Sequence, residues 1–187
     1  HYYIHAVEAV APEKAVTCAE RLSALMPGAG HMVHMPGHIY IRVGRYDDAI
    51  RANEHAVHAD ETYIEREKPS GLYPIGYYPH NLHFLAFAAS MAGRSAQAID
   101  AARRTSEKNP AEVARQVPPL ENLLAYAPLA LVTFGKWDEV LATPLPPSDL
   151  RVSTGLAYYA RGVAHAAKGQ WPEARAALDT VKAIAAG

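Results

Sequence analysis

A chain of 187 residues, half of them hydrophobic, is long enough to bury one sizeable core and is read as a single domain over 1–187. Eighteen basic against nineteen acidic residues leave a formal charge of −1, with no basic stripe or acidic tail, which argues against nucleic acid and anionic membrane as partners. No stretch approaches the ~20 apolar residues of a membrane helix, and Cys18, the only cysteine, excludes an internal disulfide and a thiolate-rich metal site.

In chain order, His1 to Val10 reads as the end of a helix cut short by the chain start. Without an initiator Met or a leader, that start implies a removed segment or a fragment, and a soluble protein of the cytoplasm or the periplasm is expected. Pro12 to Met26 follows as a helix, with Pro12 in its first turn and Ala15, Ala19, Leu22 and Leu25 on one stripe. After the breaker MPGAG, His31 to Val43 is a helix, and Arg45 to about Glu65 is its antiparallel partner across a turn at Gly44. Lys68 to Tyr78 (KPSGLYPIGYY) carries two prolines and two glycines and is predicted as a loop. Pro79 opens a helix to Ala92, Gly93 turns it, and Arg94 to Lys108 returns. Leu120 to Phe134 with Lys136 to Thr143, and Arg151 to Lys168 with Trp171 to Ala186, complete the pairs on either side of the connector TPLPPSD. No alternating strand pattern with hairpin signals is present, so the fold class is all-α.

Ten histidines are many for this length, and they cluster. His31, His34 and His38 recur at intervals of three and four, which stack side chains along one helical face. Counted back from the glycine that ends each segment, His31 and His80 both lie thirteen residues upstream, and His34 and His83 both lie ten. Pro36 interrupts the first of these helices: either it kinks between His34 and His38, the preferred reading, or it begins near Pro36 and leaves His31 and His34 on the entering loop.

Each turn glycine is followed by a similar signature: Gly44-Tyr46-Ala49, Gly93-Ser95-Ala98, Gly135-Trp137-Val140 and Gly169-Trp171-Ala174. With Gly37, Gly162 and Pro110, these residues resemble the tetratricopeptide (TPR) repeat, whose period is about 34 residues. The glycines stand 49, 42 and 34 apart, so the resemblance is degenerate, the tyrosine-rich loop supplying the extra length of the first interval. It implies a right-handed superhelix of antiparallel helix pairs, about four to five repeats, the first truncated. In that family the positions thirteen, ten and six before the turn glycine line a concave groove. Here they are His31, His34 and His38, then His80, His83 and Phe87, then Asn122, Ala125 and Leu129, then Leu156, Tyr159 and Val163. Aligning Ala15 with Ala49, and allowing a turn one residue shorter, brings His1 and His5 to the same face, with Glu8 beside them.

Neutral imidazole is the commonest protein ligand for transition metals. The expected metal ligands are therefore His31, His34, His38, His80 and His83, with His1, His5 and Glu8 as further ones, in a mono- or dinuclear site. An all-histidine set suits zinc or copper, and nickel after them; adding Glu8 extends the choice to iron or manganese. Crowding and the first helical turn after Pro79 both favour unprotonated rings. Tyr73, Tyr77 and Tyr78 are placed to cap the helix pair or to wall a ligand, while Phe87 and Asn122 are candidate ligand contacts. His55 and His58 read as solvated surface, Arg42, Asp47 and Asp48 likewise; Tyr40, His165 and Cys18 read as packing.

The stretches HYYIHAVE, GHMVHMPGHIY and YYPHNLHF together resemble a histidine-rich bacterial TPR family, which implies a shared special site without supplying an activity. Two functions follow as expectations. One is a metal-binding TPR protein, able to act as a hydrolase or oxidoreductase if a coordination position stays open. The other is an adaptor whose groove holds a partner's peptide without metal. Self-association through exposed solenoid ends is the remaining partner expectation.

Overall fold

A computed structural model of the protein describes residues 1–186, and all regular structure among them is helical. The elements are α1 (Tyr2–Val7), a 3-10 turn (Pro12–Ala15), α2 (Val16–Leu25), α3 (Gly30–His34), α4 (Pro36–Arg42), α5 (Tyr46–Glu67), a π-helical turn (Tyr73–Tyr77), α6 (Tyr78–Met91) and α7 (Ser95–Glu107). Then come α8 (Ala111–Gln116), a 3-10 stretch (Pro118–Ala125), α9 (Tyr126–Thr133), α10 (Trp137–Ala142), α11 (Arg151–Ala167) and α12 (Trp171–Ala186). No helix among them is long and apolar enough to cross a membrane. Contacts gather the chain into two compact units, one spanning His1–Ala101 and the other beginning at Ala102.

In the first unit α5 is the spine, packing against α3, α4 and α6, while α2 lies on α3 and α4 and α1 on α4. The sequence dictates this, because Ala49, Ile50, Asn53, Ala56, Val57 and Asp60 fall three and four apart and form one buried stripe of α5. Ile4, Met35, Ile39 and Leu82 fill the space around it with no solvent exposure. In the second unit α11 packs against α9, α10, α12 and the 3-10 stretch. There a Cβ on Gly162 would stand 3.3 Å from the Cβ of Ala177, so the bare backbone lets α11 and α12 close up.

Gly44, Gly93, Gly135 and Gly169 all have φ between +67° and +76°, the left-handed conformation that ends a helix at little cost only for glycine. In each case the next helix starts two residues later, at Tyr46, Ser95, Trp137 and Trp171. At Pro36 the helix is interrupted: α3 ends at His34 and α4 opens at Pro36, while Met35, at φ −50° and ψ −37°, keeps the backbone helical between them.

Several predicted elements differ in detail. The segment expected to be a loop folds over Tyr73–Tyr77 into a π-helical turn, in which Tyr78 N–H donates to the Tyr73 carbonyl, and runs directly into α6. Its prolines fall where a missing N–H does no harm. The helix expected over Leu120–Phe134 is 3-10 up to Ala125 and α-helical only from Tyr126, and α8 forms where no helix was expected.

Candidate metal centre

The successive helices α3 and α4, together with α1 and its flank and α6, bring six imidazoles into contact. Ring centroids of His1, His5, His38, His34 and His31 form a closed circuit, with successive separations of 5.0, 5.0, 4.8, 5.6 and 5.3 Å. His80 sits against it, 4.7 Å from His34 and 5.8 Å from His38. Within this group, ring nitrogens of His34, His38 and His80 lie within 4.8 Å of one another, and so do those of His1, His5 and His31.

The hydrogen-bond partners of His34 and His38 fix which nitrogen of each of these two rings carries its proton. Asn53 donates from Nδ2 to the Ala49 carbonyl at 2.8 Å, so its Oδ1 faces His34 and accepts from Nδ1 at 2.7 Å. His38 Nδ1 donates to Glu8 Oε2 at 2.7 Å, since a carboxylate only accepts. Both rings are thereby left with a bare Nε2. That of His38 is buried with no hydrogen-bond partner. That of His34 stands 3.1 Å from His80 Nε2, whose single proton is the one donor available to it. Two lone pairs thus converge where the neighbouring ring supplies one hydrogen, which is the unbalanced arrangement a cation completes. Two nitrogens at ~2.0–2.1 Å from a tetrahedral zinc stand about 3.3 Å apart, close to what His34 and His80 already show.

The electrostatics point the same way. Burial, reinforced by repulsion from the neighbouring histidines, holds His34 well below the usual imidazole range and pushes His80 down to about 4. Burial likewise lowers His31, His38 and His83, although in His38 Glu8 works against it. For Glu8, burial acts to raise the carboxyl, but its hydrogen bonds to His5 and His38 outweigh this and hold it below the ordinary value. Neutral rings beside an ionised carboxylate are the form a metal binds.

Other predicted site residues are distributed as follows. His83 belongs to neither triad; it flanks Phe84 and lines a cavity of about 460 Å³ with Glu8, His38, Arg42, Tyr46 and Phe87. His31 and His34 sit on α3, before the break at Met35, and not on one unbroken helix with His38; His34 meets His80, and Phe84, one turn further on, lies 4.6 Å from His34 and 4.5 Å from His38. Tyr77 packs its ring on His31 at 4.8 Å, Tyr73 donates to Asp60 Oδ1 at 2.6 Å, and Tyr78 is buried and donates to Glu61. Asn122 is exposed in the second unit, on its 3-10 stretch. His55 and His58 are exposed and line a larger hollow, about 590 Å³, between α2 and α5, where no cluster of ligands converges among the described residues.

The sequence reading missed Phe84, Asn53 and Asp60. Asp60, fully buried, accepts from Tyr73 and from Asn81, the neighbour of His80, and a Cβ on Gly30 would stand 1.8 Å from its Oδ1. It therefore ties the approach of α3, the π-helical turn and α6 together. The signal was available: Asn53 and Asp60 are the polar members of an otherwise apolar stripe of α5. No protein-family model matches the chain, and no curated protein matches it either.

Proposed function

We propose that this protein binds a transition-metal ion through His34, His38 and His80, on a TPR-like scaffold of helical hairpins. The scaffold reading is supported by the four left-handed glycines, each opening a helix two residues on. The metal reading is carried by one observation: the bare Nε2 of His38 is buried without a partner beside the bare Nε2 of His34 and the ring of His80. Three imidazoles without thiolate suit zinc or copper. Such an ion, with a coordination position left open, supplies a Lewis acid or an activated water. The chain's own residues orient the ligands, since Asn53 and Glu8 hold the proton on Nδ1 of His34 and His38 and aim Nε2 inwards. The adjoining cavity, walled by Phe84 and Phe87 with Arg42 and His83, gives a small molecule access to this face.

Elemental analysis of untagged protein, with melting measured before and after a chelator, tests the reading. A stoichiometric ion is expected, lost on His80→Ala while the helical circular dichroism is retained. Protein that holds no metal and melts alike with and without zinc or copper would leave the adaptor reading in its place.

A further inference from the structure

We infer that His1, His5 and His31 form a second metal site beside the first, and that Glu8 couples the two. The inference extends the reading of His34, His38 and His80 as a metal site, because Glu8 is shared between the triads.

The geometry repeats that of the inner triad. His1 Nε2 and His31 Nε2 stand 3.3 Å apart, the separation of two ligands on one tetrahedral ion. His5 completes the group, with one nitrogen of each ring within 4.8 Å of the others. Its Nδ1 donates to Glu8 Oε1 at 2.9 Å, leaving Nε2 as the nitrogen available to an ion. His31 is held in place by the ring of Tyr77, and its Nδ1 is buried with no partner.

Glu8 is the coupling element. One carboxylate oxygen takes the proton of His5 and the other that of His38, so a single side chain orients one ligand in each triad. Such a carboxylate–histidine pair raises the basicity of the ligating nitrogen and fixes its tautomer. The triads also adjoin directly, with ring centroids 5.0 Å apart at His5–His38 and 5.6 Å at His31–His34. Two of the three outer ligands come from α1 and its flank, and the His5 side chain is 40% exposed whereas His34 is fully buried. The outer site should accordingly load second and release first.

Cobalt(II) titration of the chelator-stripped full chain tests this, with visible d–d absorption following each step and elemental analysis counting ions after desalting. The expected result is uptake in two steps. His1→Ala combined with His5→Ala keeps the first step and loses the second, while His80→Ala does the reverse. His5→Gln, a polar replacement at an exposed position, gives the answer independently if the double variant misfolds. Glu8→Gln can serve only one of the two rings as an acceptor, and is expected to weaken both steps by about 10–100-fold. Saturation at one ion, abolished by His80→Ala and indifferent to His5→Gln, overturns the second site and leaves the first standing. No uptake at all overturns both, and Glu8→Gln that leaves both affinities unchanged overturns the coupling.

Discussion

The side-chain amide of Asn53 faces two ways, giving its hydrogens to the Ala49 carbonyl and its oxygen to His34 Nδ1, and both partners are buried. Asn53→Leu removes this acceptor without opening a hole. It leaves a buried N–H unpaired, a cost of about 1–3 kcal/mol, and frees the ring to place its proton on the wrong nitrogen. The expected outcome is a lower melting temperature together with metal affinity weakened by about 10–100-fold, measured by calorimetry and titration on one sample. Gly37 bears on the same contact, because a Cβ there would stand 2.7 Å from Asn53 Nδ2. Gly37→Ala is expected to push Asn53 off its bond, destabilise by about 1–3 kcal/mol, and weaken metal binding in the same direction. A variant that lost stability but bound metal unchanged would show that Asn53 only packs.

At the scale of elements, what could be read from the sequence was what is decided locally. The turn glycines and the helix starts two residues after each follow from a few adjacent residues and stand where the sequence placed them, and Pro36 falls at a break between two helices. The pairing of His34 with His80, rather than with His83, depends on how α3 packs against α6, which no count along one helix contains. Nor could the π-helical turn before α6 be read from two prolines and two glycines, which ordinarily signal a loop. That turn is anchored through Tyr73, whose hydroxyl donates to the buried Asp60. Burial already raises the Asp60 carboxyl above its usual range, and Tyr73→Phe removes one of the two hydrogen bonds that offset this. A destabilisation of about 1–3 kcal/mol is expected, and Asp60 should protonate at a still higher pH, which carboxyl titration by NMR would detect.

For the molecule as a whole, the buried histidines set the dependence of stability on pH. A ring whose pKa is lower in the folded than in the unfolded chain takes up a proton on unfolding, so stability rises with pH across the interval between the two values. His31, His34, His38, His80 and His83 are all shifted down, His80 to about 4 from the ordinary 6.5. The metal-stripped protein should therefore keep full stability above about pH 6.5 and lose it progressively below, down to the folded-state values. Glu8, with its lowered carboxyl, adds to the loss as pH falls below its ordinary 4.5; Asp60, raised, opposes it as a single group. A melting temperature flat between pH 5 and 7 would contradict this account. Since all six clustered imidazoles belong to the unit His1–Ala101, hydrogen exchange should slow on adding zinc in that unit and remain unchanged in α11 and α12.

α1 is six residues long, too short to stay helical by its own hydrogen bonds. Ile4 is the one residue it buries, and the polar groups of His1, His5 and Glu8 tie it to the histidine cluster. Tyr2 and Tyr3 meanwhile face solvent. An ion gripped by His1, His5 and His31 would act as a hasp, fastening α1 to α3 when metal is abundant and leaving that fastening undone when metal is scarce. Metal supply would then be written into whether Ile4, buried while α1 is docked, stays covered or opens to a protease or a partner, a signal the helical scaffold can give without any chemistry at all.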